Sequence, residues 1–212
     1  MRRVFVDPES PQRDAIQEAA EWIRRGGVVA IPTDTLYGLA ANPFDRAAVA
    51  RVFAIKGREA ERALPLVAAD IGQIEAHLGP LLPIAARLSE RFWPGPLTLL
   101  LPAPVALARE VTGGTGRVGI RVPANPIARA VCAIVGTPVT ATSANISGEP
   151  ATSDPDVVEQ TLGDAVDFLL DTGRTPGGAP STVVDASGEK LEIVRIGAIP
   201  WDEIQACVQH RG

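Results

Sequence analysis

The feature that most restricts the fold is a run of four apolar residues, VVAI at positions 28–31, which follows two glycines. An unbroken apolar run of this length is typical of a strand that is buried on both faces. Before it, apolar residues recur at helical spacing between positions 15 and 23, and Gly26 and Gly27 end that helix. A helix followed directly by a doubly buried strand predicts an α/β protein.

The same alternation continues along the chain. We predict further helices over residues 45–56, 70–79, 83–92, 125–135, 155–162 and 200–208. We predict further strands over residues 1–9, 64–68, 97–101, 118–123, 139–142, 166–171, 181–185 and 191–195. Because no repeat or linker-like stretch divides them, these elements predict one α/β domain over residues 1–212, a twisted, open, mixed β-sheet flanked by helices.

Composition narrows the class of function. The chain has 212 residues and a net charge of −5, whereas an extended nucleic-acid surface normally needs an excess of basic residues. A small cationic pocket inside an acidic protein remains compatible with that charge. No apolar run reaches the roughly 18 residues that span a bilayer, and no apolar signal segment follows Met1. We therefore expect a cytoplasmic protein without membrane contact.

Two cations stand together at the end of the helix predicted over residues 45–56. Lys56 is one of only two lysines in the chain, and Arg58 follows it two places later. In an extended or turn conformation, positions two apart project to the same side, and Gly57 leaves the backbone between them open. Such a pair suits a polyphosphate or a carboxylate. The alternative is a solvated basic turn, favourable at a helix C-terminus.

Other polar side chains fall where predicted strands end. They are Thr33 and Thr35, Arg121, and Ser143 and Asn145. In open α/β sheets, ligands bind beyond the carboxyl ends of the strands, so these groups predict an anion pocket. Thr33 and Thr35 also allow a second interpretation, in which Thr33 or Asp34 caps a helix that begins there. The two interpretations are compatible with each other.

The usual phosphate-binding and hydrolytic motifs are absent from the sequence. It has no G-x-x-x-x-G-K-[ST] loop and no G-x-G-x-x-G turn after a strand. The GGTG segment at 113–116 is a weak phosphate-loop candidate, with Thr115 as its possible nucleotide contact. No carboxylate cluster predicts a protein-bound metal, so Mg²⁺ would arrive on substrate phosphates. These absences favour catalysis by positioning and charge stabilisation, without an organic cofactor.

At the level of motifs, the chain resembles the YrdC-like threonylcarbamoyl-AMP synthases. The matching segments are IPTDTLYGLAANPFD (31–45), IKGR (55–58), LPLVAAD (64–70), FWPGPLTLLLP (92–102), VGIRVPANPIARAV (118–131), TATSANISGEPAT (140–152), STVVDASG (181–188) and IVRIGAI (193–199). They occur in family order over nearly the whole chain. The resemblance implies a single YrdC-like catalytic domain with a concave cationic face, in the short form that lacks an extra C-terminal domain.

The resemblance also implies a reaction. Family members join L-threonine, bicarbonate and ATP, with Mg²⁺ carried on the ATP, to give threonylcarbamoyl-AMP and pyrophosphate. The product serves the N6-threonylcarbamoyl modification of adenosine 37 in tRNA, which a partner transferase complex completes. Direct contact of the synthase with tRNA is expected to be weak or indirect.

Site residues carry over where the motifs match. The implied catalytic pair is Lys56 and Arg58, which would neutralise the ATP phosphates. The implied nucleotide contacts are Lys56, Arg58, Arg62, Ser143, Asn145 and Arg195. The implied threonine contacts are Thr35, Tyr37, Arg121 and Ser143. Within these sets, Arg121 would grip the threonine carboxylate, and Tyr37 would either close the threonine pocket or belong to the core.

The chain departs from the usual family pattern after Arg58. Glu59 and Ala63 stand where family members commonly have prolines, and Ile196 follows Arg195 where a basic residue or a proline is frequent. Because proline restricts the backbone, we expect a looser loop after Arg58, with an anion beside the cation pair.

Two other functions remain open on sequence grounds. The first is an RNA-binding module of the same fold, although the acidic net charge weighs against it. The second is a paralogue that makes another carbamoyl-adenylate.

Overall fold

The computed structural model describes residues 1–57 and 63–209. In these ranges the helices are α1 (Arg13–Arg24), α2 (Arg46–Lys56), α3 (Ile71–Leu78), α4 (Pro83–Phe92), α5 (Pro126–Val135), α6 (Pro155–Leu162) and α7 (Trp201–Gln209). The strands are β1 (Arg2–Phe5), β2 (Val29–Pro32), β3 (Tyr37–Ala40), β4 (Leu66–Val67), β5 (Leu97–Pro102), β6 (Arg117–Arg121), β7 (Val139–Thr140), β8 (Thr142–Ser143), β9 (Phe168–Asp171), β10 (Thr182–Asp185) and β11 (Glu192–Arg195). Short 3-10 turns occupy Arg109–Thr112 and Gly163–Ala165.

The strands form two mixed sheets. One has the order β1-β9-β2-β3-β8, and the other has the order β11-β10-β5-β6-β4-β7. In the first sheet β9 lies parallel to β1 and β2, while β3 is antiparallel to both of its neighbours. In the second, β5 is parallel to β10 and antiparallel to β6. The predicted α/β class with mixed pairing is confirmed, but its strands divide between two sheets where one was predicted.

Strand β2 shows why its sequence is apolar at every position. All four of its residues are buried. Val29 and Ile31 pack in a core cluster with α1 and α5, whereas Val28 and Ala30 pack in a second cluster with α2 and the six-stranded sheet. Since successive side chains of a strand point to opposite faces, both faces of this strand lie in a core.

The segment after β2 is where prediction and structure differ most. We predicted that Thr33 or Asp34 caps a helix, and this is wrong. The chain instead returns as β3, antiparallel to β2, with Pro32 opposite Tyr37. The Thr33 hydroxyl donates to the carbonyl oxygen of Leu36 at 2.6 Å, so it closes the turn that joins the two strands.

The sequence accounts for the end of α2 and the start of α5. Helix α2 ends at Lys56 because Gly57 has a φ of 61°, the left-handed conformation that glycine adopts without steric cost. Helix α5 begins at Asn125, whose side chain accepts hydrogen bonds from the backbone N–H groups of Ile127 and Ala128. Both ends are therefore fixed by local backbone chemistry.

Within residues 1–57 and 63–209, no helix has both the length and the apolar character needed to cross a membrane.

Candidate functional site

A cavity of about 500 Å³ opens between the two sheets. This volume lies in the range of small-molecule sites, which is roughly 300–1,000 Å³. The lining residues are Thr33, Thr35, Leu36, Tyr37, Gly38, Ala63, Pro65, Leu66, Val67, Thr98, Leu100, Gly119, Arg121, Ala141, Thr142, Ser143, Ala151, Pro180, Ser181, Val183 and Arg195. Twelve of them lie on β3 and β8 of one sheet and on β4, β5, β6, β10 and β11 of the other, and the remaining nine lie in connecting segments. The site therefore depends on how the sheets face each other.

Two arginines set the charge of the cavity. Among the lining residues that the structure describes, the charged side chains are Arg121 and Arg195. Both are cationic in a chain whose net charge is −5. A concave site lined by charges of one sign concentrates ligands of the opposite sign, so this cavity favours an anionic group.

Arg121 lies at the end of β6, with its side chain only 13% exposed. Its Nη1 donates to Asp34 Oδ2 at 2.9 Å. Burial lowers the pKa of Arg121, Asp34 opposes that shift, and the nearby charge of Arg195 adds to it. The two cavity arginines are thus close enough to repel each other, and Asp34 offsets part of that repulsion.

Arg195 is held at the edge of the six-stranded sheet. Its Nε and Nη2 donate to the carbonyl oxygen of Ser181 at 3.2 and 2.8 Å, and Nη2 also lies 3.1 Å from Ser181 Oγ. The Ser181 hydroxyl in turn lies 2.8 Å from Thr98 Oγ1. The sequence did not predict Ser181 or Thr98 as site residues. The available signal was Thr98, one polar residue inside the apolar strand LTLLL.

Lys56 lies behind the cavity wall, since it is 2% exposed and absent from the lining. Its Nζ donates to the Ser143 carbonyl oxygen at 2.7 Å and to Asn145 Oδ1 at 2.6 Å, and it lies 3.3 Å from Ser143 Oγ. The alternative of a solvated basic turn is therefore wrong for Lys56. Its buried ammonium fixes the turn that carries Ser143 into the cavity.

The side chains of Ser143 and Asn145 meet, because Ser143 Oγ donates to Asn145 Oδ1 at 2.6 Å. Ser143 lines the cavity, whereas Asn145 is 7% exposed and is not among the lining residues. The Asn145 amide donates to the carbonyl oxygens of Ile146 and Glu149 at 3.0 and 2.6 Å. The two side chains thus lie on the same side, as their two-residue spacing predicted, but β8 ends at Ser143 and only Ser143 is among the cavity lining. Asn145 therefore fixes the loop after β8.

Thr33 and Thr35 both line the cavity. The carbonyl oxygen of Thr35 accepts hydrogen bonds from Thr175 Oγ1 at 2.7 Å and from the Gly177 N–H at 2.8 Å. These bonds fix the backbone of Thr35 against the segment after β9. Thr35 therefore lines the cavity from a backbone position that two hydrogen bonds hold in place.

Tyr37 belongs both to the core and to the cavity wall. It lines the cavity, yet it is 1% exposed. Its hydroxyl donates to the carbonyl oxygen of Gly173 at 2.7 Å and accepts from the N–H of Thr172 at 3.1 Å. Burial raises the pKa of Tyr37, which keeps the hydroxyl neutral. The ring thus forms part of the wall, while the hydroxyl ties that wall to the segment after β9.

The substitution Tyr37→Phe separates these roles. We expect it to lower the free energy of unfolding by about 1–3 kcal/mol, since it leaves the Thr172 N–H without its acceptor. Because the ring stays, ligand affinity should change by less than about threefold. Urea unfolding measures the change in the free energy of unfolding, and titration with the ligand of the cavity measures the change in affinity. An unchanged unfolding midpoint together with lost affinity would show that the hydroxyl contacts the ligand.

Of the remaining expected site residues, Thr115 is the one that belongs to the described part of the chain. Thr115 precedes β6, at the opposite end of that strand from Arg121, and is not among the lining residues. Its hydroxyl donates to the carbonyl oxygen of Thr112 at 2.8 Å, so the structure does not bring it to the cavity. Arg58 and Arg62 fall in residues 58–62, as does Glu59, outside the described residues. Ala63 does line the cavity.

Cys132 is not a reactive thiol, and no metal-ligand cluster occurs in the part of the chain that the structure describes. Cys132 is fully buried, and burial raises the pKa of its thiol to about 12, far from the values of nucleophilic cysteines. Within residues 1–57 and 63–209, no three His, Cys, Asp or Glu side chains come together as metal ligands. The groups at the cavity can bind and orient anions and stabilise developing negative charge.

Comparison with known proteins agrees with this arrangement. The structure aligns with the crystal structure of Pyrococcus abyssi Sua5 complexed with L-threonine at a TM-score of 0.92 and 37% identity, covering 99% of this chain and 61% of that one. It aligns with the crystal structure of Escherichia coli YciO at a TM-score of 0.84 and 29% identity, covering 94% and 98% of the two chains.

Curated sequences give the same result. The threonylcarbamoyl-AMP synthase of P. abyssi is 39% identical over 91% of this chain and 57% of its own length, and that of Coxiella burnetii is 34% identical over 84% and 97%. The chain spans 57% of the length of the P. abyssi relative and 61% of the length of the Bacillus subtilis relative. The Sua5/YciO/YrdC family model, described as "Telomere recombination", matches residues 21–197. The chain belongs to the Sua5/YciO/YrdC family.

Proposed function

We propose that this chain is a threonylcarbamoyl-AMP synthase, which joins L-threonine, bicarbonate and ATP and releases pyrophosphate. The observation that carries the proposal is the cavity, in which the charged lining residues among those described are both arginines although the chain is acidic. A carboxylate and a polyphosphate are the ligands that such a pair suits. Relatives that bear this name support the choice of substrates.

L-threonine is placed at the Arg121 end of the cavity. A guanidinium offers a planar fork that matches a carboxylate, and Thr33 and Thr35 line the same region. The related Sua5 that was crystallised with L-threonine supports an amino acid as the ligand here. In this orientation the threonine amine faces the remaining volume, where bicarbonate and the nucleotide meet it.

ATP is placed toward Arg195 and Ser143. Arg195 and the hydroxyls of Ser181 and Thr98 form one hydrogen-bonded group on that wall, and Lys56 adds a positive charge behind Ser143. Arg58 and Arg62 remain sequence predictions for the phosphates. Mg²⁺ enters as part of the ATP substrate, which is its usual mode of binding.

For this placement, the reaction that the family resemblance implies runs in two steps. The threonine amine attacks the bicarbonate carbon, and loss of water leaves a carbamate on the amine nitrogen. A carbamate oxygen then attacks the α-phosphorus in line, and the bond to the β-phosphate oxygen breaks, so that pyrophosphate leaves with Mg²⁺. The protein contributes by holding the reactants together and by stabilising negative charge that develops at the α-phosphate.

Two further parts of the proposal rest on the family resemblance alone. The product would pass to the complex that transfers the threonylcarbamoyl group to tRNA. The reaction would take place in the cytoplasm.

The proposal is tested by measuring pyrophosphate release from ATP while single substrates are omitted. We expect release to require both L-threonine and bicarbonate and to fall to background without either. Release that continues without L-threonine would contradict the proposal. Release with carbamoyl phosphate as the only carbamoyl source would instead favour a paralogue that makes another carbamoyl-adenylate.

A further inference from the structure

Asp34 connects the buried arginine of the cavity to the start of a helix. Its Oδ2 accepts the hydrogen bond from Arg121 Nη1 at 2.9 Å, and its Oδ1 accepts a short hydrogen bond from the backbone N–H of Asn125. Asp34 itself is not among the lining residues of the cavity. One carboxylate thus links the β2–β3 turn, the end of β6 and the beginning of α5.

The frame behind Asp34 is rigid. Asn125 caps α5 through hydrogen bonds of 3.0 Å from the N–H groups of Ile127 and Ala128. Its side-chain amide also donates to the carbonyl oxygen of Thr33 at 3.4 Å. A helix N-terminus favours a nearby negative charge, so the start of α5 helps to hold the Asp34 carboxylate in place.

Arg121 needs such a partner. Its guanidinium is largely buried and is repelled by Arg195, and a buried charge without a partner is costly. Among the described residues, Asp34 is the group that accepts a hydrogen bond from this side chain. A guanidinium has five N–H donors, so this contact fixes its position and leaves donors for a ligand.

We propose that Asp34 is the positioning residue for the amino-acid carboxylate, because it holds the Arg121 guanidinium in the orientation that receives that carboxylate at the cavity. This inference rests on the proposed function, since it takes L-threonine as the ligand of Arg121. It assigns to Asp34 no contact with substrate. Its effect is therefore specific to the amino-acid half of the cavity.

The substitution Asp34→Asn tests the inference, because it removes the charge and keeps nearly the same shape. We expect the KM for L-threonine to rise about 10-fold or more, the loss expected when a charge-assisted contact is removed. The KM for ATP should stay within about twofold, and kcat should stay within about threefold. A merely structural role would raise both KM values together.

A double variant sharpens the test. If Asp34 acts through Arg121, then Asp34→Asn should add less than about twofold to the threonine KM once Arg121→Ala is present. Additive effects would overturn the inference. Asp167→Asn is the matched control, because Asp167 likewise joins an arginine, Arg51, to a backbone N–H, that of Val28, outside the cavity lining. It should leave the threonine KM unchanged, and an equal rise would also overturn the inference.

The possible failures are distinguishable. If the wild-type chain shows no threonine-dependent pyrophosphate release, the proposed function fails and this inference falls with it. If the wild type is active and Asp34→Asn keeps the wild-type threonine KM, the inference alone is overturned. Thermal unfolding shows whether the variant folds. Should it not fold, Asp34→Glu keeps the charge but displaces the guanidinium, and it should raise the threonine KM selectively.

Discussion

Replacing Lys56 with methionine is expected to lower kcat/KM for threonine- and bicarbonate-dependent pyrophosphate release about 1,000-fold, the upper part of the range for losing one preorganised charge-stabilising donor. Lys56 holds Ser143 and Asn145 through hydrogen bonds of 2.7 and 2.6 Å. Without its ammonium, the turn that presents Ser143 to the cavity is no longer fixed, and one positive charge behind the phosphate site is lost. Methionine keeps the unbranched stem in the core.

Lys190→Met is the matched control, because Lys190 is the other lysine of the chain and is exposed. It should leave kcat/KM within about twofold of the wild type, as surface substitutions usually do. A continuous assay of pyrophosphate, with thermal unfolding of each variant, measures both. If Lys56→Met folds and retains activity within about threefold, Lys56 has no role in the reaction.

The second large effect is expected for Arg121→Ala. The KM for L-threonine should rise at least about 100-fold, because two charge-assisted hydrogen bonds to a carboxylate, at about 1.5 kcal/mol each, contribute that factor. The KM for ATP should stay within about threefold, since the nucleotide is placed at the other end of the cavity. Steady-state kinetics with each substrate varied in turn give the two values.

Arg117→Ala controls for the general cost of losing an arginine from β6. Arg117 lies at the opposite end of the same strand, pairs with Asp185, and is not among the lining residues. It should leave both KM values unchanged. Equal rises in the two KM values of Arg121→Ala would mean that Arg121 supports the cavity as a whole and does not receive the carboxylate.

Much of the fold was predictable because apolar periodicity reports burial directly. The helix before residue 26 and the doubly buried strand after it are both present as α1 and β2. Strand β3 was missed because Thr33 and Asp34 are typical of helix caps and also of turns. The division into two sheets could not be predicted, since it depends on which strands pair across long sequence separations.

The site was predictable in part. Arg121, placed in a strand where an uncompensated charge would be costly, does line the cavity. The two-residue spacing rule brings the side chains of Ser143 and Asn145 together, although only Ser143 is among the cavity lining. Its outcome for Lys56 and Arg58 stays a prediction, because Arg58 lies outside the described residues. Asp34 was not predicted as a site residue, because the two-residue spacing rule selects Thr33 and Thr35 and leaves out the residue between them. Its contacts with β6 and α5 exist only in three dimensions.

The proposed reaction is tested most directly by mass spectrometry of the product formed from L-threonine, ¹³C-labelled bicarbonate and ATP. We predict an adenylate that contains one threonine, one AMP and one ¹³C atom, formed together with pyrophosphate. An adenylate of threonine without the labelled carbon, or AMP with no threonine attached, would contradict the proposed reaction.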